Sequence, residues 1–173
     1  MNYLPIYATL KDRPVLVIGA GEVACRKIEL LLQAGAQVQV IAQQLGLEVQ
    51  GLVGQDLVQW WKKEFVAEDV NQAVLTIAAT NDALLNEQVA AAGRQNHRLV
   101  NVVDDPALCQ FIVPAIVDRS PVQIAISTGG AAPVLARQLR QQLEQELPSY
   151  LGPMATLAQQ YRPLVTAQLS TLS

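Results

Sequence analysis

Apolar residues fall into short unbroken runs separated by polar and glycine-containing breaks. Residues 15–18 (VLVI) form the first such run, of the length and β-branched character of a buried parallel strand. Residues 37–42 alternate apolar and polar and predict a second strand. Residues 57–61, 73–79 and 98–103 predict a third, fourth and fifth. Between them, 25–34 and 83–95 are rich in helix formers, and Gly35 stands where a helix-terminating glycine belongs. Residues 45–55 predict a poorer helix, interrupted by Gly46, Gly51 and Gly54. Residues 66–71 predict a short turn or helix, and 3–10 an extended lead-in to the first strand. Strand and helix alternate in the order of a doubly wound parallel sheet.

The alternation breaks after residue 110. Residues 111–118 and 122–127 are two strand-like runs joined by Arg119-Ser120-Pro121, a spacing that suits an antiparallel pair. A long helix is expected over 133–147, with Pro133 in its first turn and Leu135, Leu139, Leu143 and Leu147 as one apolar stripe. Residues 148–153 read as a break, and 154–172 as helical around Pro163, with no partner core in the chain. The expected organisation is a dinucleotide-binding α/β domain over 1–110, a small α+β dimerisation region over 111–147 and a helical tail over 148–173. The leucine stripe and the tail without a core point to a homodimer.

The first break carries the chemistry. Gly19-x-Gly21-x-x-Ala24 sits between the first strand and the first helix, where Gly19 permits a tight turn and Gly21 lets a pyrophosphate approach the backbone. Ala24 allows close helix–strand packing, and the free N–H groups at the helix start face the anion. The rival reading is a tight turn that binds nothing. The acid that usually ends the second strand is missing, replaced by Gln43 and Gln44. A glutamine still hydrogen-bonds a ribose hydroxyl, and the lack of an arginine there favours NAD over NADP. Thr80, Asn81 and Asp82 follow the fourth strand, where each suits a helix cap and Thr80 also lies on the cofactor edge. The fifth strand delivers Asp104, Asp105 and Pro106 to that same edge.

Composition narrows the partners. The 173 residues are half apolar, and the net charge of −3 argues against nucleic acid. No apolar run reaches the roughly 20 residues needed to cross a bilayer. The N-terminus lacks the basic stretch of a signal peptide. Cys25 and Cys109 form no metal or disulfide pattern, which suggests free thiols in a cytoplasmic protein. His97, the only histidine, precedes the fifth strand and is expected on a surface loop away from the cofactor. Of Trp60 and Trp61, one ring is expected in the core and one over an edge.

Several motifs together carry a resemblance. They are Leu4-Pro-Ile6, Val17-Ile-Gly-Ala-Gly-Glu-Val-Ala24 with Arg26-Lys27, Ala78-Ala-Thr-Asn-Asp82 and Asn101-Val-Val-Asp-Asp105. Phe111-Ile-Val-Pro-Ala115, Ala125-Ile-Ser-Thr-Gly-Gly130 and Pro133-Val-Leu-Ala-Arg137 complete the set. In this order they resemble the N-terminal module of siroheme synthase, the precorrin-2 dehydrogenase and sirohydrochlorin ferrochelatase family. The resemblance implies a Rossmann domain, a dimerisation region, oxidation of precorrin-2 to sirohydrochlorin with NAD, and then insertion of ferrous iron as a transient substrate, with no resident metal. It places cofactor contacts at Gly21, Glu22, Val23, Gln43 and Gln44, and the catalytic carboxylate at Asp104. Fused members continue into a methyltransferase domain that is not seen here, and the chain ends inside the module's expected last helices. A shortened form, cut from a fused enzyme or free-standing, is expected.

That chemistry needs a base for the substrate's proton, and Asp104 is the candidate by position. Asp105 precedes a proline and suits a structural turn. The substrate is a polycarboxylate, for which Arg119, Arg137 and Arg140 are candidate contacts, with the N–H groups around Gly129 and Gly130. Ser127 and Thr128 could bind a carboxylate or cap the helix, and a phosphorylated hydroxyl there would repel the substrate. Three rivals remain: a non-catalytic NAD-binding sensor module, another NAD-dependent dehydrogenase with a small substrate, and a family member that keeps only the dehydrogenase step.

Overall fold

The structure is a computed structural model and describes residues 3–170. The described residues divide into two compact units, over 3–112 and 113–170.

The first unit contains β1 (Pro14–Ile18), α1 (Glu22–Gln33), β2 (Gln37–Ile41), α2 (Leu47–Gly54), β3 (Val58–Trp61), β4 (Leu75–Ala78), α3 (Ala83–Gln95) and β5 (Leu99–Val102). The sheet order is β3-β2-β1-β4-β5, and every pairing is parallel. The apolar run of β1 has a simple cause. Val15 and Val17 pack with Ala24, Ile28 and Val49, whereas Leu16 and Ile18 pack with Val89, Ala90 and Val100. Alternate residues thus face α1 and α2 on one side and α3 on the other. Neither face of β1 meets water, so neither is polar.

Helix ends follow local chemistry. Gly35 adopts a φ of +75° just past α1, in the left-handed region that glycine enters without penalty. Asp82 caps α3 by accepting the Leu85 N–H at 3.0 Å. Gly46, expected to interrupt a helix, is instead the N-cap of α2. Gly93 lets α3 lie close on β5, because a Cβ there would overlap the Val100 side chain. Trp61 packs on the core, while the Trp60 indole N–H donates to the Ala42 carbonyl at 3.0 Å. A 3₁₀ turn spans Ala67–Gln72, where the buried Asp69 accepts from the Val66 N–H and from the Lys63 ammonium.

In the second unit, β6 (Ala115–Arg119) and β7 (Val122–Ile126) form the expected antiparallel pair, followed by α4 (Pro133–Glu146) and α5 (Leu151–Ser170). The expected break before the last helix is shorter than 148–153, since α5 takes Pro153 into its first turn, where a missing N–H costs nothing. Among the described residues, α5 is anchored only at its start, while Met154, Leu157, Tyr161, Leu164 and Val165 further along it are exposed. Gly152 packs so tightly on the Arg119 and Ser120 carbonyls that no Cβ fits.

Candidate functional site

The β1–α1 turn is built around two glycines with different reasons to be glycine. Gly19 has a φ of +102°, its N–H donates to the Ile41 carbonyl, and a Cβ would collide with the Ala79 carbonyl. Backbone geometry and packing both demand it. Gly21 has a φ of −82°, which any residue adopts, and a Cβ there would meet nothing within 4 Å. Neither strain nor packing explains Gly21. A side chain there would project into the open approach to the helix start, which glycine leaves free.

Gly21 is the N-cap of α1 and offers no side-chain cap, so the first-turn N–H groups have no acceptor among the described residues. Gly46 repeats the arrangement at α2. The two uncapped helix starts share a cavity of about 240 Å³ lined by Ala20, Gly21, Glu22, Gly46, Leu47, Glu48 and Val49. Such a cradle fits the pyrophosphate of a dinucleotide. The chain order explains its place. Strands run outward from β1 through β2 to β3, then return to the other side of β1 as β4, and ligands bind at this switch of direction.

The other expected cofactor residues surround this edge without all lining the cavity. Glu22 lines it and pairs with Arg26 at 2.8 Å, one turn along α1, and Val23 is exposed beside it. Gln43 and Gln44 are exposed on the β2–α2 loop, outside the lining. Thr80 lies against the glycine turn, with its Cγ2 3.2 Å from where a Gly19 Cβ would be. Its hydroxyl donates to the Asn86 Oδ1 at 2.8 Å, and Asn86 donates back to the Thr80 carbonyl. Glu48 and Gly46 were not anticipated as cavity residues. The signal available was a glycine followed within the next turn by an acid, the mark of a helix start.

Asp104 occupies the turn after β5, at the same carboxyl edge. The Asp105 N–H donates to the Val102 carbonyl at 3.3 Å, and Asp104 takes the corner with a φ of +62°. Its side chain is exposed. Asp105 is a structural residue, accepting the Ala107 N–H at 3.2 Å at the head of a 3₁₀ turn over Pro106–Leu108. His97 is exposed and precedes β5, at the opposite edge.

In the second unit, Ser127, Thr128 and Gly129 form the loop between β7 and α4. The Ser127 hydroxyl accepts the Gly129 N–H at 3.0 Å, and the Thr128 hydroxyl accepts the Ala132 N–H at 3.1 Å. Gly129 and Gly130 both have positive φ. Arg137 is exposed on α4 and forms no hydrogen bond or ion pair with any described residue. Arg140 pairs with Glu144 at 2.6 Å. Arg119 is not a free cation for an anionic ligand. Its Nε donates to the Leu147 carbonyl at 3.1 Å and its Nη2 to the Glu144 carbonyl at 2.9 Å, so its fork satisfies the end of α4.

No group of His, Cys, Asp and Glu among the described residues is arranged to hold a metal ion. No helix among them is long and apolar enough to cross a membrane. Both cysteines are free thiols.

Residues 6–115 match a family model described as putative NAD(P)-binding, and residues 119–146 match one described as the central part of sirohaem biosynthesis proteins. The chain is 51% identical over all 173 residues to the siroheme synthase of Mannheimia succiniciproducens, and 52% identical over 172 residues to siroheme synthase 1 of Yersinia enterocolitica. It spans 36% of the length of each of these relatives. Among solved structures, SirC, a precorrin-2 dehydrogenase, superposes with a TM-score of 0.78 at 27% identity, covering 95% of this chain and 81% of SirC.

Proposed function

The chain belongs to the siroheme synthase family as its NAD(P)-binding module, and from that premise we propose that it oxidises precorrin-2 to sirohydrochlorin with NAD. The observation that carries the cofactor half is Gly21, a glycine that neither backbone nor packing requires, at the mouth of a cavity between two uncapped helix starts. Bound NAD supplies the hydride acceptor. The chain's own part is to hold the pyrophosphate on the α1 and α2 N–H groups, to set the ribose beside Gln43 and Gln44, and to frame the nicotinamide side with Thr80 and the Gly19 turn.

Asp104 is the proposed base. Loss of a hydride from the macrocycle leaves a proton to be removed, and an exposed carboxylate on the cofactor edge of the sheet is suited to take it. The polycarboxylate substrate is proposed to meet Arg137, Ser127, Thr128 and the Gly129 N–H. Arg137 supports this by having no partner of its own, and the loop by its cluster of backbone donors. Ferrous iron insertion is the narrower part of the reading. It displaces pyrrole protons that the same carboxylate can accept, and the assay below assigns it to this module or to the remainder of the longer relatives.

A homodimer is proposed as the working form. Val117 is the one fully buried apolar side chain among the described residues of the second unit, and α4 buries none. Leu135 and Leu139 are 47% and 38% exposed, and a two-stranded sheet is marginal alone. Sedimentation should find a dimer that Leu139→Glu dissociates. A cytoplasmic location completes the reading, in line with two free thiols.

The deciding experiment is an anaerobic single turnover of precorrin-2 with NAD, followed by ferrous iron. Formation of sirohydrochlorin by the wild type and not by Asp104→Asn supports the reading. NAD binding without product, in wild type, would favour a sensing module. Siroheme formed on adding iron, faster than in a protein-free control, assigns chelation to this module.

A further inference from the structure

β5 is the last strand of the five-stranded sheet, and its outer edge exposes backbone groups with no neighbouring strand. The segment after the 3₁₀ turn meets that edge with side chains. The Gln110 Oε1 accepts the Val100 N–H at 2.8 Å, and the Gln110 N–H donates to the Val100 carbonyl at 2.8 Å. One step along, the Cys109 sulfur accepts the Val102 N–H at 3.2 Å. Its S–H has two acceptors in reach, the Val102 carbonyl at 3.1 Å and the Asp105 carbonyl at 3.2 Å. The Asn101 amide also reaches the sulfur, at 3.4 Å.

These contacts bracket the turn that carries Asp104. Val102 opens the turn and Asp105 closes it, and one thiol holds both ends while Asp104 sits between them at a φ of +62°. A left-handed conformation is disfavoured for a residue with a Cβ, so it persists where surrounding contacts over-determine it. We infer that Cys109 is a positioning residue for the reaction, holding the Asp104 turn from beneath through its thiol. The inference rests on the reading of Asp104 as the base. Burial pushes the Cys109 thiol up, the nearby Asp105 carboxylate adds to this, and the Val102 hydrogen bond opposes it. The S–H therefore stays protonated and able to donate at neutral pH, as a holding role needs and a nucleophilic role does not.

The test compares Cys109→Ser, Cys109→Val and Asp104→Asn for kcat of precorrin-2 oxidation, KM for NAD, and NAD affinity by tryptophan fluorescence. Serine keeps a donor and acceptor. Valine has similar volume and neither. The expected result is that Cys109→Val lowers kcat by about tenfold to a hundredfold, the range for a catalytic group displaced by about 1 Å. NAD affinity and KM should stay unchanged, and Cys109→Ser should recover most of kcat. If Cys109→Val has full kcat while Asp104→Asn is inactive, the thiol is merely structural and the inference fails alone. If Asp104→Asn is fully active, the base assignment fails and takes the inference with it. If Cys109→Val does not fold, Cys109→Ser decides: full loss of kcat with NAD bound as in wild type would overturn the holding role of a donor at this position.

Discussion

The backbone N–H of Gly46 donates to the carbonyl of Ala20 at 2.9 Å, tying the first turn of α2 to the glycine turn before α1. A Cβ at Gly46 would lie 2.8 Å from that same oxygen, so only glycine allows the two helix starts to face one cavity. The cradle is therefore a joint product of two βα turns.

This gives a paired expectation. Gly46→Val must push α2 away and should cost about 1–3 kcal/mol of stability, with weaker NAD binding. Gly21→Ala adds a Cβ with no protein atom within 4 Å and should leave stability within about 0.5 kcal/mol while NAD affinity falls. Urea unfolding and a fluorescence titration with NADH, run on both variants, check the pair.

Asp104→Asn is the informative change at the proposed base. Asparagine tolerates the left-handed backbone found there, so the turn is kept and only the proton acceptor is lost. The rate of sirohydrochlorin formation should drop by about 10²–10⁴-fold. Asp105→Asn, altering a turn contact, should leave the rate within a few-fold of wild type.

Arg119 and Arg137 should behave oppositely. Arg119→Met removes a cation that bonds the last carbonyls of α4, and the loss should cost about 1.5–3 kcal/mol of stability per hydrogen bond to a charged group. Its KM for precorrin-2 should not move. Arg137→Met should leave the melting temperature alone and raise that KM.

Gly93→Ala tests the packing behind Asp104. The added methyl overlaps Val100 and comes within 3.1 Å of the Gln110 Oε1. A loss of about 1–3 kcal/mol in chemical denaturation is expected.

Stability should fall on the alkaline side. Burial raises the Cys25 thiol, with the Glu29 and Glu48 carboxylates adding to it. The folded chain then holds that proton more tightly than the unfolded chain. The contribution is complete below the unfolded thiol value of about 8.5 and is lost as pH rises through the higher folded value. Cys25→Ala should show a shallower decline of stability between neutral and alkaline pH than the wild type.

Much of this was legible along the chain because it depends on neighbours in sequence. The β1 run, the α1 stripe and the glycine turn are periodic or adjacent features, and local sterics translate them directly into strand, turn and helix. The antiparallel pair after residue 110 and the exposed leucines of α4 were readable for the same reason. Other roles were decided by residues distant in sequence. Arg119 looked like a free cation until the end of α4, 25 and 28 residues later, supplied its acceptors. Gly46 looked like a flaw in a helix until Ala20 stood against it. Cys109 had no visible task until the open edge of β5 presented N–H and carbonyl groups to its sulfur. A hydrogen bond satisfies whichever group the folded backbone brings within reach, and pattern along a chain does not state which group that will be.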